Sequence, residues 1–164
     1  MIESARERTV RWEDPARSAA AVREMSGLDF LRAMLNGDVP HPPLAATLGF
    51  RLSEVEEGRV VYEGTPAEYH YNPVGTVHGG YALALFDSAL GCAVLSMLPA
   101  GLLQTTTDVQ VRFIRPMTTQ TGLVRCEAKA LHVGRTTGVS DARLYDAAGK
   151  LLGIGTTACA IFRA

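Results

Sequence analysis

Asp87 stands inside a run of mainly apolar residues, Gly79 to Leu98, that is otherwise interrupted only by Ser88 and Ser96. An ionised carboxylate in such a segment costs on the order of several kcal/mol unless it is paired or faces a wet pocket. It is therefore a candidate general base or nucleophile, with a buried structural ion pair as the plain alternative. At the head of the same run lie Gly79 and Gly80, preceded by the loop His70–His78. If a helix starts there, its unpaired N–H groups and positive dipole end favour negative charge, and glycine lets a carbonyl oxygen approach closely. An amide so placed is an oxyanion donor, and removing one typically costs about 3 kcal/mol of barrier. A tight loop-to-helix turn would also call for glycine. Asn72 can orient water or a carbonyl through its amide, or simply serve as a turn residue beside Pro73. His78 can act as a base, although bracing the loop is the simpler use of its ring.

The elements that position these groups follow from periodicity. Phe50 to Glu56 and Arg59 to Thr65 form a strand pair turning at Glu57-Gly58, and Thr105, Thr107, Val109, Val111 and Phe113 alternate with Gln104, Thr106, Asp108, Gln110 and Arg112 as two strand faces. Gly122 to Val133, Thr136 to Tyr145 and Leu151 to Phe162 add three strands on short turns, an antiparallel meander. The last two are rich in Gly, Ala, Ser and Thr, which permits close approach of another element. The Gly79–Leu98 run approaches the ~20 residues that span a bilayer. Its central carboxylate and the lack of close flanking Lys or Arg speak instead for a buried helix with a curved sheet wrapped around it. The fold class is α+β. Ahead of this body, Ser26 and Asp29 start a short amphipathic helix bearing Leu28, Leu31 and Leu35 and ending at Gly37. Residues 1 to about 26 read as a loosely held arm, and Pro40, Pro42 and Pro43 as an extended connector. Residues 1–43 are thus an N-terminal arm with a short helix, and residues 44–164 the main domain.

With 164 residues, 47% of them hydrophobic, one ordinary core is available and wholesale disorder is excluded. Sixteen basic residues against seventeen acidic ones give a formal charge of −1, so no general attraction to nucleic acid or anionic membrane is expected. The cysteines, Cys92, Cys126 and Cys159, are odd in number and never in a Cys-x-x-Cys pair, which points to a reducing cytoplasm. The first residues lack the apolar core of a signal peptide. His41, His70 and His132 show no ligand spacing, so no metal site is expected.

The segment His70-Tyr71-Asn72-Pro73-Val74-Gly75-Thr76-Val77-His78-Gly79-Gly80, followed by Asp87, resembles the signature of the hotdog-fold acyl-CoA thioesterases of the PaaI-like group, over about Leu44 to Phe162. The resemblance implies an antiparallel sheet around one central helix, here with an N-terminal helical extension. It implies hydrolysis of an acyl-CoA thioester without a required cofactor, coenzyme A being part of the substrate. Asp87 would be general base or nucleophile, the Gly79 amide would polarise the thioester carbonyl, and Asn72 would be functional. Thr106 falls where related enzymes place a hydroxyl that positions water. Arg112, Arg115 and Arg135 are candidates for the coenzyme phosphates, since guanidinium groups bind phosphate oxygens in pairs. Active sites in the family lie between subunits, and its dimers often pair into tetramers.

Geometry leads to the same assembly. Eight residues separate Gly79 from Asp87, which is ~12 Å along a helix, whereas an oxyanion donor and an attacking oxygen must both reach one carbonyl group. Gly79 of one subunit then works with Asp87 of another in a two-fold dimer. The rivals are a hotdog hydratase or dehydratase using His78, and an acyl-CoA-binding sensor without turnover. The Leu28–Asn36 helix is a candidate cover for the acyl pocket.

Overall fold

In the computed structural model, which describes residues 5–164, β1 (Phe50–Glu56) and β2 (Arg59–Gly64) form the expected hairpin, with Gly58 at a φ of 74° in its turn. Three further strands, numbered ahead of their place in the sheet as β4 (Val124–Val133), β5 (Thr137–Asp146) and β6 (Leu151–Arg163), make the antiparallel meander. β3 (Leu102–Phe113) does not join the hairpin that precedes it in sequence. It crosses to the far side and pairs with β6, so the six strands run in the order β1-β2-β4-β5-β6-β3. On β1, β2 and β4, Glu54 is held between Arg125 and Arg59, Arg125 reaches Glu63, and Arg59 reaches Glu127. The Arg125 hydrogen bond, followed by that of Arg59, keeps the Glu54 carboxyl below its ordinary range. These cross-strand pairs reinforce the register of the hairpin on β4.

The connection between β2 and β3 carries the central helix. It runs from Gly79 to Leu95 and packs its Leu85, Phe86, Ala89, Leu90, Ala93 and Val94, all fully buried, against the sheet. Glycines in the meander make the fit: a methyl group at Gly155 would stand 2.8 Å from Phe86, and one at Gly138 would stand 2.4 Å from Val94. Only Gly80, Leu83 and Asp87, at helical spacing, leave a stripe of this helix exposed. Among the described residues no helix is long and apolar enough to cross a membrane.

Three shorter helices precede the sheet; the first corrects the expectation of a loose arm, and the third takes Pro43 out of the extended connector, which Pro40 and Pro42 still form. α1 (Pro15–Glu24) starts on Asp14, whose carboxylate accepts from the Ala16 N–H, with Pro15 in the first turn where its missing donor costs nothing. α2 (Gly27–Asn36) is the predicted amphipathic helix, capped by Ser26 and closed by Gly37 in the left-handed region. α3 (Pro43–Leu48) again places proline in a first turn, where the connector was expected to stay extended. The central helix is therefore α4. The Gly27 amide donates to Leu98 O at 2.9 Å, and a Gly27 side chain would collide with the Leu95 carbonyl. α2 thus seats its apolar face beside β1 and at the end of α4 opposite Gly79. Arg8 donates to the Thr47 and Ala46 carbonyls at the end of α3 and lies 4.1 Å from the centre of the Tyr69 ring. Of the arm assigned to residues 1–43, residues 1–4 lie outside the described residues.

Candidate active site

The loop before α4 is built by hydrogen bonds that leave specific atoms free. Asn72 Oδ1 accepts from the Val74 and Thr76 N–H groups at 3.0 and 3.2 Å, and its Nδ2 donates to Thr76 Oγ1 at 3.0 Å. Its acceptor is thereby occupied, so toward a ligand Asn72 is a donor through its second amide proton. The His78 N–H donates to His70 O at 2.7 Å, and His78 Nδ1 accepts from the Gly80 N–H at 2.8 Å. An N–H facing Nδ1 requires a lone pair there, so this ring caps the helix and holds its proton on Nε2. Tyr81 N–H is taken by His78 O, while the Gly79 N–H has no intrachain partner among the described residues. Gly79 is thus the donor left over at the positive end of a seventeen-residue helix.

A cleft of about 360 Å³ opens at this point, bordered by Asn72, Gly79, Phe113, Arg115 and Met117. The Phe113 ring lies over Gly79 so closely that a methyl group there would stand 3.0 Å from two ring carbons. Arg115 borders the cleft while also donating to Leu151 O. Arg112 borders a separate groove with Asp141 and Arg143, and exposed Arg135 lies in the turn between β4 and β5. Of the three arginines, only Arg115 meets Gly79 within one protomer.

Two turns further along α4, Asp87 Oδ1 accepts from Thr106 Oγ1 at 2.8 Å. A bulge in β3 makes this contact compatible with the core. Thr106 pairs with Cys159 and Asp108 with Ala158, which leaves Thr107 as an extra residue. Gln104 and Thr106 reach α4 before the bulge, and Val109 and Val111 pack on the core after it. The unbroken alternation expected for this strand is therefore corrected: the inward set mixes members of both predicted faces. Gln104 Nε2 donates to Gly91 O at 3.1 Å, one helical turn past Asp87. Gln104, Gly91 and Phe113 were not singled out by sequence reasoning; the only signal was a glycine in a helix interior, where it is unfavourable.

The nearby thiols do not compete as nucleophiles. Burial pushes Cys92 up to about 11 despite a hydrogen bond with the Tyr62 hydroxyl, and burial likewise raises Cys159. The chemistry available is that of a carboxylate held by a hydroxyl and, elsewhere on the same helix, a free amide at a positive helix end.

Comparison with known proteins bears on the family and the fold. The thioesterase superfamily model matches residues 74–152, from the loop before α4 to the start of β6. A phenylacetic acid degradation-related protein from Ralstonia eutropha is 30% identical, with 79% of this chain and 98% of that one covered and a TM-score of 0.72. A 1,4-dihydroxy-2-naphthoyl-CoA hydrolase from Listeria monocytogenes is 26% identical over 118 residues, 72% of this chain and 94% of the relative. A hypothetical thioesterase from Streptococcus pneumoniae, solved with coenzyme A, is 22% identical, with 70% and 87% covered and a TM-score of 0.63. With its six-stranded antiparallel sheet around α4, the chain belongs to the thioesterase superfamily as a hotdog-fold, PaaI-like member.

Proposed function

We propose that this protein hydrolyses an acyl-CoA thioester to the free acid and coenzyme A, at composite sites between two identical subunits. The observation that carries the reading is the Asp87 carboxylate, exposed on α4 and held at 2.8 Å by Thr106, on the same helix as the free Gly79 amide. Neither group reaches the other's substrate atom alone, being ~12 Å apart along the helix. The second subunit has a natural seat. β3 is a twelve-residue edge strand with no partner on its outer side among the described residues, and Leu83, Phe113 and Ile114 are exposed large apolar residues. Such an edge calls for a cover.

In this site the thioester oxygen lies at Gly79 N–H of one subunit, and Asn72 adds a donor from the same loop. Asp87 of the other subunit either takes a proton from water as its oxygen adds to the carbonyl carbon, or adds directly to form an anhydride that water then opens. In both routes the C–S bond breaks and the thiolate leaves to be protonated. Thr106 fixes the carboxylate oxygen that does not attack. Arg115, which borders the Gly79 cleft, is the arginine this reading assigns to the coenzyme phosphates, and the hydrolase from Listeria monocytogenes and the coenzyme-bound relative support coenzyme A as the carrier. His78 has given one nitrogen to the helix cap, which favours hydrolysis over a His-driven hydratase.

The test is thiol release from a panel of aromatic and aliphatic acyl-CoAs, followed with a thiol reagent. Free thiol in proportion to acid is expected; binding without release, or loss of enoyl absorbance without thiol, would refute the reading.

A further inference from the structure

We propose that Asp108 of one subunit forms an ion pair with Arg112 of the other, twice across a two-fold axis at Gln110, and that these contacts set the register in which the two halves of the site meet. The inference rests on the two-subunit reading above and adds the residues that align the subunits. Both charges are exposed on β3, and among the described residues neither enters an ion pair. Asp108 takes a 3.3 Å contact from the neutral Gln110 Nε2. Asp141, the carboxylate that shares a groove with Arg112, is held by Arg143 at 3.0 Å.

The register follows from what β3 touches. Within one protomer Phe113 lies against Gly79 and Thr106 against Asp87, so this strand marks both ends of the site. For Gly79 to meet Asp87 of the other subunit, Phe113 must lie opposite Thr106 of that subunit. Edge strands paired about a two-fold axis through the sheet run antiparallel, and residues directly opposite each other share a face. In an unbroken ladder, Phe113 opposite Thr106 would set Val109 opposite Gln110, a core-packed residue against an exposed one. The bulge removes the conflict: Thr106 and Thr107 together oppose Phe113, as two residues oppose one at a bulge. The ladder then sets Asp108 opposite Arg112, Val109 opposite Val111, and Gln110 opposite its own copy. The valines meet on the core side and the opposite charges on the outer side. Moving the axis by one residue places Gln110 opposite Asp108 or opposite Arg112 and leaves the other charge unmatched.

Charge reversal tests the pair in the full-length protein. Asp108→Arg sets arginine opposite arginine at both places, and Arg112→Asp sets aspartate opposite aspartate. Each variant alone should raise the dimer dissociation constant at least about 10-fold, measured by sedimentation over a dilution series. An equimolar mixture of the two brings opposite charges together at both places, so mixed dimers should dominate and dissociate with a constant close to that of wild type; a mass tag on one chain identifies them by native mass spectrometry. The axis is tested by Gln110→Cys. Directly opposite Cα atoms lie about 5 Å apart, within disulfide range, so oxidised glutathione should give a covalent dimer that wild type, with Cys92, Cys126 and Cys159, does not form. Variants that dimerise alone as tightly as wild type, or a mixture no tighter than its components, overturn the ion pair. A dimeric Gln110→Cys protein that stays uncrosslinked overturns the position of the axis. Either result leaves the hydrolase reading standing, since thiol release by wild type tests that reading whichever residues align the subunits. A wild type that sediments as a monomer while releasing thiol overturns the shared site as well.

Discussion

At the scale of single residues, the proposed mechanism concentrates the chemistry in the Asp87–Thr106 pair. The carboxylate needs one oxygen free to attack or to take a proton and the other held, and a single hydroxyl donor at 2.8 Å does the holding. Asp87→Asn preserves size and can keep a contact with Thr106 but removes the basic oxygen, so kcat should fall roughly 10²- to 10⁴-fold. Thr106→Val keeps the β-branched shape and removes only the donor, so a loss of about 10-fold in kcat is expected, and Thr106→Ser should recover most of it. A Thr106→Val enzyme as fast as wild type, with an unchanged pH profile, would show the contact to be structural. Asp87 stood out in the sequence as a carboxylate in an apolar run, and the structure sets it on the exposed stripe of α4 beside Thr106; its role is the part proposed here. Gln104 did not stand out, because a glutamine in a strand gives no sign that a helical glycine waits opposite it.

Among the elements, the clearest lesson lies in β3, where Thr105, Thr106 and Thr107 present the same polar, β-branched surface three times in succession. A shift of phase inside such a run leaves no mark in a hydrophobic pattern, so the bulge at Thr107 was invisible although the strand itself was not. The hairpins were legible from their short turns; the move of β3 to the far edge depends on how α4 crosses the sheet. α1 escaped notice because none of its residues is fully buried and its inward stripe is thin, Ala21 and Val22 with Met25 at its end packing against the core, although Asp14-Pro15 marks its start. The N-terminal elements are tied to the α4 loop through His70, whose Nδ1 accepts from Ala67 N–H at 3.0 Å and whose Nε2 donates to Leu48 O at 2.8 Å. Its ring stacks on Tyr81 at 4.1 Å between centroids and meets Tyr69 edge-on, and burial, with a smaller push from Arg8, lowers its pKa despite the Leu48 bond. The folded state therefore resists a proton that the unfolded chain accepts near pH ~6.5. The stability tied to neutral His70 is present above that pH and is lost as pH falls through the lower, folded value. His41, lowered by burial and then by Arg51, adds in the same direction. Thermal unfolding at about pH 7.5 and about pH 5.5 should show a larger drop in Tm for wild type than for His70→Gln. Equal drops would remove His70 as the source.

For the molecule as a whole, the question is whether one chain or two complete the reaction centre, and the sheet order bears on it directly. β1 closes one edge beside α2 and α3, whereas β3, the strand that carries Thr106, forms the other edge with its outer side open among the described residues. The exposed stripe of α4, with Leu83 and Asp87, belongs to the same side of the molecule through the Asp87–Thr106 contact. A two-fold axis near this seam would bring Gly79 of each protomer toward Asp87 of the other, burying both stripes and making two equal sites. The subunit assignment can be isolated with chains that are inactive for opposite reasons. Gly79→Ala drives a methyl group toward Phe113 and over the amide, and Asp87→Ala removes the carboxylate, so each pure variant should lose at least about 10²-fold in activity. Random exchange makes half of the dimers mixed, and each mixed dimer holds one site with both wild-type groups, so the exchanged sample should regain about a quarter of wild-type activity. If each chain held a whole site, no pairing of the two variants would restore one. Tagged subunits measured by pull-down report the extent of exchange, and a sample shown to be mixed yet still inactive would refute the shared site.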